Sequence, residues 1–281
     1  MSEYQYYEFR AIDKPLTQRQ MGELRKLSTR AEITPTSFTN EYHWGDFHGN
    51  PRTMMEKYFD AFLYYANWGT HQFMLRLPAK LADVKAMKQY CGGDSLTLRT
   101  KGDFVVLEFQ SEDEAGDWEE EGDNCLASLI PLRAALLGGD FRSLYLGWIA
   151  SLQAGELDED EVEPPVPLGL KHLSASLKDL AEFLRIDAKL LKVAAASDTG
   201  KAPAEPSRTD LSQWIRSLPL TEKNKILLEI VTGDAPNLRE RLLQRFRQSC
   251  VRGNRPKASP TKAAERRTVG ELRLAAGMSI E

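Results

Sequence analysis

Every stretch with strand periodicity lies before residue 111, and the chain after it repeats at helical spacing. That division constrains the fold more than any other feature. Tyr4–Asp13 alternates, with Tyr7, Phe9 and Ala11 pointing one way and Tyr6, Glu8 and Arg10 the other. Thr34–Trp44 predicts a second strand, interrupted by Pro35. Phe73, Leu75 and Leu77 share one face of a third. Leu96–Thr100 and Phe104–Gln110 flank Lys101-Gly102, the composition of a hairpin turn.

Helix signals fall between these strands. Pro15 closes the first strand, Thr17 and Gln20 have the spacing of a capping box, and Met21, Leu24 and Leu27 follow as an apolar stripe. Asn50-Pro51 is a helix start, and Met55, Tyr58, Phe59, Phe62, Tyr65 and Ala66 extend one wide apolar face from it. Pro78 opens a short helix to about Tyr90, which Gly92-Gly93 stops. The order β-α-β-α-β-α-β-β predicts an α+β fold: an N-terminal mixed or antiparallel sheet with helices on one face, ferredoxin-like. An all-α C-terminal region and a basic flexible tail follow it. A doubly wound parallel fold fits less well, because the strands lack the continuous apolar runs that burial on both faces needs.

The second half divides by composition. Leu126–Leu137, interrupted by Pro131, and Phe141–Gln153 read as two helices that cover the sheet and complete an α+β domain over 1–154. Residues 155–169 are acidic and then proline-rich, a tether by composition. A helical segment over 170–197 carries Leu173, Leu177, Leu180 and Leu184 on one stripe. A polar linker at 198–208 leads to a small helical module at 209–251, whose helices begin near Thr209 or Asp210, Thr221 and Pro236. Residues 252–281 form the basic tail, with 252–267 disordered by composition. Because 1–154 holds all the clear strands, it is expected to fold alone.

Charge is polarised along the chain, although the net charge is only −4. Residues 112–123 and 156–163 are two acidic runs, whereas Arg239–Arg273 carries eleven Lys and Arg against three Glu. The basic end is expected either to contact an anionic partner or to fold back weakly, with salt sensitivity, on its own acidic runs. The longest uncharged apolar stretch falls short of the ~18 residues a membrane span needs, so no membrane association is expected. No secretory leader is readable either. Cys91, Cys125 and Cys250 lack any CxxC spacing and read as reduced thiols of a cytoplasmic protein, with Cys91 and Cys125 in the core.

The segments Tyr4-Gln5-Tyr6-Tyr7-Glu8-Phe9-Arg10-Ala11-Ile12-Asp13 and Asn40-Glu41-Tyr42-His43-Trp44-Gly45-Asp46-Phe47 resemble an uncharacterised bacterial protein family. The resemblance continues through Tyr58–Leu63 and Ala66–Gly69, and covers the chain to about residue 270. Members of that family run on into a long charged helix after a Thr-Val-x-Glu-Leu segment. Here Thr268-Val269-Gly270-Glu271-Leu272 is followed by nine residues, so the resemblance implies a shortened C-terminus. It implies no activity, cofactor or catalytic residue.

Candidate chemistry concentrates in two loops. Glu41, His43 and Asp46 lie within six residues, and strand alternation puts Glu41 and His43 on one side, so the three are the candidate metal ligands. With Trp68 and His71 from the second loop, His43, Trp44 and Asp46 outline an aromatic-walled ligand pocket. The competing reading is a well-packed junction whose histidines and carboxylates hydrogen-bond nearby turns. No nucleophile elbow, phosphate loop or HExxH occurs. Arg241, Arg245, Arg252, Arg255 and Lys257 are the candidate contacts to an anionic partner, without a helix-turn-helix, RRM or zinc-finger frame.

The economical reading is a non-catalytic cytoplasmic interaction or adaptor protein, with an unknown protein partner and no cofactor. The alternatives are an enzyme or ligand-binding domain using the two loops, and a nucleic-acid-associated factor using the basic end.

Overall fold

The computed structural model describes residues 4–45, 47–112, 125–198, 207–232, 237–253 and 266–278. Its centre is a seven-stranded sheet in which every neighbouring pair is antiparallel, ordered β2-β3-β1-β4-β5-β7-β6. The strands are β1 (Gln5–Arg10), β2 (Glu32–Ile33), β3 (Ser37–Tyr42), β4 (Ala61–Ala66), β5 (Thr70–Pro78), β6 (Leu96–Lys101) and β7 (Phe104–Glu112). Helices α1 (Gln18–Arg25), α2 (Pro51–Lys57) and α3 (Val84–Met87, continued by a 3-10 turn at Lys88–Tyr90) interleave with them. The α+β class read from the sequence is the class of the fold.

Local signals place several elements as expected. Thr17 and Gln20 form the capping box of α1. The Asn50 side chain accepts the Thr53 N–H at 2.9 Å and starts α2 at Pro51. Lys101 and Phe104 pair across a two-residue turn in which Gly102 has φ +56°, a conformation costly for any residue with a Cβ. Pro35 falls in the turn between β2 and β3, so the single strand expected over Thr34–Trp44 is the second arm of a hairpin.

The long helix expected from Asn50 to Ala66 is not formed. It ends at Lys57, and Ala61–Ala66 becomes β4, a central strand between β1 and β5. Ala61, Leu63 and Tyr65 enter one core while Phe62 and Tyr64 face the other. A strand buried on both sides is apolar throughout, so its spacing also satisfies a helical stripe. The extra strand pairs with β5 through a tight turn at Asn67–Gly69, which leaves no crossover helix there and excludes the ferredoxin-like arrangement.

Both faces of the sheet are covered, not one. The smaller core, with Phe9, Phe38, Phe59 and Phe62, lies under α1 and α2. The larger is covered by α4 (Cys125–Leu129), α5 (Pro131–Leu137), α6 (Arg142–Gln153), α7 (Ala175–Phe183) and α8 (Ala188–Ala194). This core does not stop at residue 154: Leu170, Leu177, Leu180, Phe183 and Leu190 belong to it. The proline-rich stretch at 155–169 lies against the same core, with Leu157 buried and the Pro165 carbonyl accepting the Tyr90 hydroxyl at 2.8 Å.

The C-terminal segment 266–278 also returns to this core. Val162 bridges to Thr268, and α12 (Val269–Ala276) buries Val269 and Leu272 completely. Thr268 and Glu271 form its capping box. The described part of the expected flexible tail is therefore docked, because Val269 and Leu272 supply an apolar anchor that the basic composition around them hides. Residues 254–265 and most of the first acidic run lie outside the described residues. Three further helices, α9 (Arg208–Ser217), α10 (Leu220–Thr232) and α11 (Leu238–Gly253), correspond to the small helical module.

Candidate functional site

The two loops singled out by sequence lie at one end of the sheet. β1 enters between them: the Tyr4 N–H bonds the Asn67 side chain at 2.9 Å, and the Gln5 amide reaches the Gly45 carbonyl at 3.3 Å. Glu41, Tyr6, Tyr65 and His71 occupy one cross-strand row and therefore one face. His43 packs beside Tyr4, with ring centroids 5.2 Å apart, and Tyr4 packs on Tyr65. Aromatic rings thus stand between His43 and His71. Glu41, His43, Trp44 and Trp68 are exposed, Trp44 at 77%. Asp46 lies outside the described residues, and among the described residues no three His, Cys, Asp or Glu side chains gather closely enough to hold a metal ion.

His71 is the buried member of the set. Its Nδ1 lies 3.0 Å from the Phe183 carbonyl and its Nε2 2.8 Å from the Arg185 guanidinium, while its ring stacks on Phe183. Arg185 has no acceptor, so Nε2 must be the unprotonated nitrogen and Nδ1–H donates to Phe183. Burial lowers the His71 pKa to about 4, against the bond to Phe183 and with help from the Arg185 charge. A neutral imidazole with both nitrogens engaged acts here as a clamp. Arg185 was not visible as a site residue in the sequence. It takes φ +53° after α7 and donates to the Gly69 carbonyl at 3.0 Å, fastening the helical layer to the β4–β5 turn.

At the opposite end of the sheet, the Asp60 carboxylate accepts the Ile12 and Asp13 N–H groups at 2.7 and 2.9 Å and the Arg76 guanidinium at 2.9 Å. Arg133 joins them, donating to the Arg76 carbonyl, to Asp13 and to Asn237, each at 2.8 Å. Asn237 precedes α11, so this network ties the helical unit to α5 and the sheet. Its polar groups are paired with one another, as a structural role requires.

The helical unit itself is built differently from the rest. No side chain of α9 or α10 is buried, although Trp214 and Phe246 meet edge to face at 5.8 Å. On α10, Leu220, Leu227, Leu228, Ile230 and Val231 are 54–83% exposed. The cations expected to meet an anionic partner are divided. Arg241 pairs with Glu229, and Arg245 pairs with Glu222 at 2.5 Å, so α11 spends both on α10. Arg252 lies in the last turn of α11, whereas Arg255 and Lys257 fall outside the described residues.

A cavity of about 460 Å³ opens beside β6, lined by Cys91, Gly92, Gly93, Asp94, Leu96 and Glu156 among others. Glu156 accepts both the backbone N–H and the hydroxyl of Ser95 at 2.8 Å. Burial pushes the Cys91 thiol up to about 11, against the pull of Lys88, so it is not a thiolate nucleophile at neutral pH. No sequence signal marks this cavity, since its walls come from a turn, an edge strand and a segment with the composition of a tether.

No family model, no curated protein and no solved structure matches this chain.

Proposed function

We propose that the chain is a non-catalytic association protein of the cytoplasm whose docking surface is the helical unit α9–α11, and that its partner is an acidic amphipathic helix. The observation that carries this reading is the row of five large aliphatic side chains exposed on α10. Burying each contributes about 1.5–3 kcal/mol, so such a face favours a covering partner. Residues 207–253 carry nine Lys and Arg against five Asp and Glu, which favours carboxylates flanking the partner's apolar stripe.

The pocket alternative has less support, because both ring nitrogens of His71 are engaged and rings stand between it and His43. The nucleic-acid alternative is weakened by the pairing of Arg241 and Arg245 within the unit.

The test is a titration of the full chain with a synthetic helical peptide bearing a leucine stripe flanked by glutamates, followed by residue-resolved NMR shifts. Shifts confined to α9–α11, lost when lysines replace the glutamates and lost in Leu227→Glu, are expected. No shifts at millimolar peptide, or shifts elsewhere, would overturn the assignment.

A further inference from the structure

The sheet has an open edge at β6, which pairs with β7 alone. In a two-residue hairpin the closing pair, here Lys101 and Phe104, exchanges both ladder bonds. The bond from Gln110 N–H to the Ser95 carbonyl, at 2.9 Å, keeps the same alternation at the other end. The backbone groups of Leu96, Leu98 and Thr100 therefore point away from β7, and among the described residues they meet no outer partner. Exposed edges are commonly defended by charged side chains. Here both cations of β6 are drawn to carboxylates, Arg99 to Glu108 and Lys101 to Glu56.

The cavity runs along this same edge, past Leu96, Thr97 and Leu98. Two glycines let the turn on its wall pack closely against the segment that carries Glu156. A Cβ at Gly93 would come within 2.4 Å of the Glu156 carboxylate, and one at Gly92 within 2.7 Å of that of Glu161. Its charged lining residues are Asp94 and Glu156, and Asp94 makes no hydrogen bond or ion pair among the described residues. Unpaired strand groups beside an acidic cavity with room for a long side chain are what an extended basic segment needs: main-chain bonds for affinity and a charged pocket for selection.

We infer that the β6 edge takes an extended segment of a partner protein as an eighth strand, with a lysine or arginine side chain in the cavity against Asp94 and Glu156. This surface is separate from α9–α11, so the chain would join two partners of opposite charge.

Residue-resolved hydrogen exchange on the full chain tests it, using as probe a blocked ten-residue peptide of alternating lysine and valine. In the free protein, the Leu98 and Thr100 amides should exchange faster than those of Thr97 and Arg99. The probe should slow both by about tenfold or more, and a glutamate–valine peptide should not. Thr100→Pro, which removes an outward N–H and no ladder bond, should weaken the protection without lowering the Tm. Three outcomes would overturn the inference: outward amides already protected in the free chain, meaning that its own residues cover the edge; equal effects of the two peptides; or no protection at all.

Discussion

Two residues show how far a side chain's role depends on partners distant in sequence. His71 follows Trp68 and Gly69 and has the local look of a ligand, but Phe183 and Arg185 decide its chemistry. Its folded pKa is about 4 against an ordinary 6.5, so between those values the unfolded chain binds a proton that the folded chain does not. Stability contributed by neutral His71 should therefore be lost as pH falls from 6.5 through 4, by at most about 3 kcal/mol, with no effect above pH 7. Urea midpoints at pH 7 and pH 4.5 should differ less in His71→Gln than in the parent.

Arg267 is the second such residue. It reads as one more cation in a basic stretch, yet it bonds Glu163 at 2.7 and 3.0 Å and also reaches the Val193 and Ala194 carbonyls. Glu163 is 2% exposed and also accepts the Tyr145 hydroxyl. Arg267→Gln strands that carboxylate and should cost about 3 kcal/mol or more. The Glu163→Gln/Arg267→Gln pair should cost less than the two single changes added, read as a coupling in denaturant melts.

Elements were readable where the signal was local. The capping box of α1, the Asn50-Pro51 start, the hairpin at Gly102 and the split at Pro131 all hold in the structure, because each is set by a few adjacent residues. β4 was not readable, since a strand buried on both faces carries no alternation. α12 was hidden by the basic residues before it. Leu272 decides that point: it is fully buried, so Leu272→Ala should cost about 2–5 kcal/mol, whereas a solvated tail would register almost nothing. By contrast Val231→Glu, on the exposed face of α10, should shift stability by no more than about 0.5 kcal/mol.

Taken along the full chain, composition misplaces the boundary of the core. The acidic stretch at 156–163 and the basic one at 266–273 do meet, as charge polarity suggested. They meet through an ion pair of a half-buried arginine with a buried carboxylate, a backbone bridge and two buried aliphatic side chains, so the contact should resist salt instead of dissolving in it. A fragment ending at Gly155 would lack the α7, α8 and α12 side of the larger core. It should melt without cooperativity and bind more hydrophobic dye than the full chain, which should melt cooperatively.

What remains outside this shared core is the helical unit, tied to it by the Arg133–Asn237 bond and presenting its aliphatic row outward. We propose this row as the docking face for an acidic helix. A photoreactive benzophenone side chain placed at Val231 in the cells that make the protein would trap that helix where it docks. Docking on this row predicts an adduct whose linked segment carries acidic residues around an apolar stripe, absent in Leu227→Glu and absent when the photoreactive group is moved to Thr29. Contradiction would be no adduct from Val231, an adduct that survives Leu227→Glu, or one formed only with a second copy of the chain.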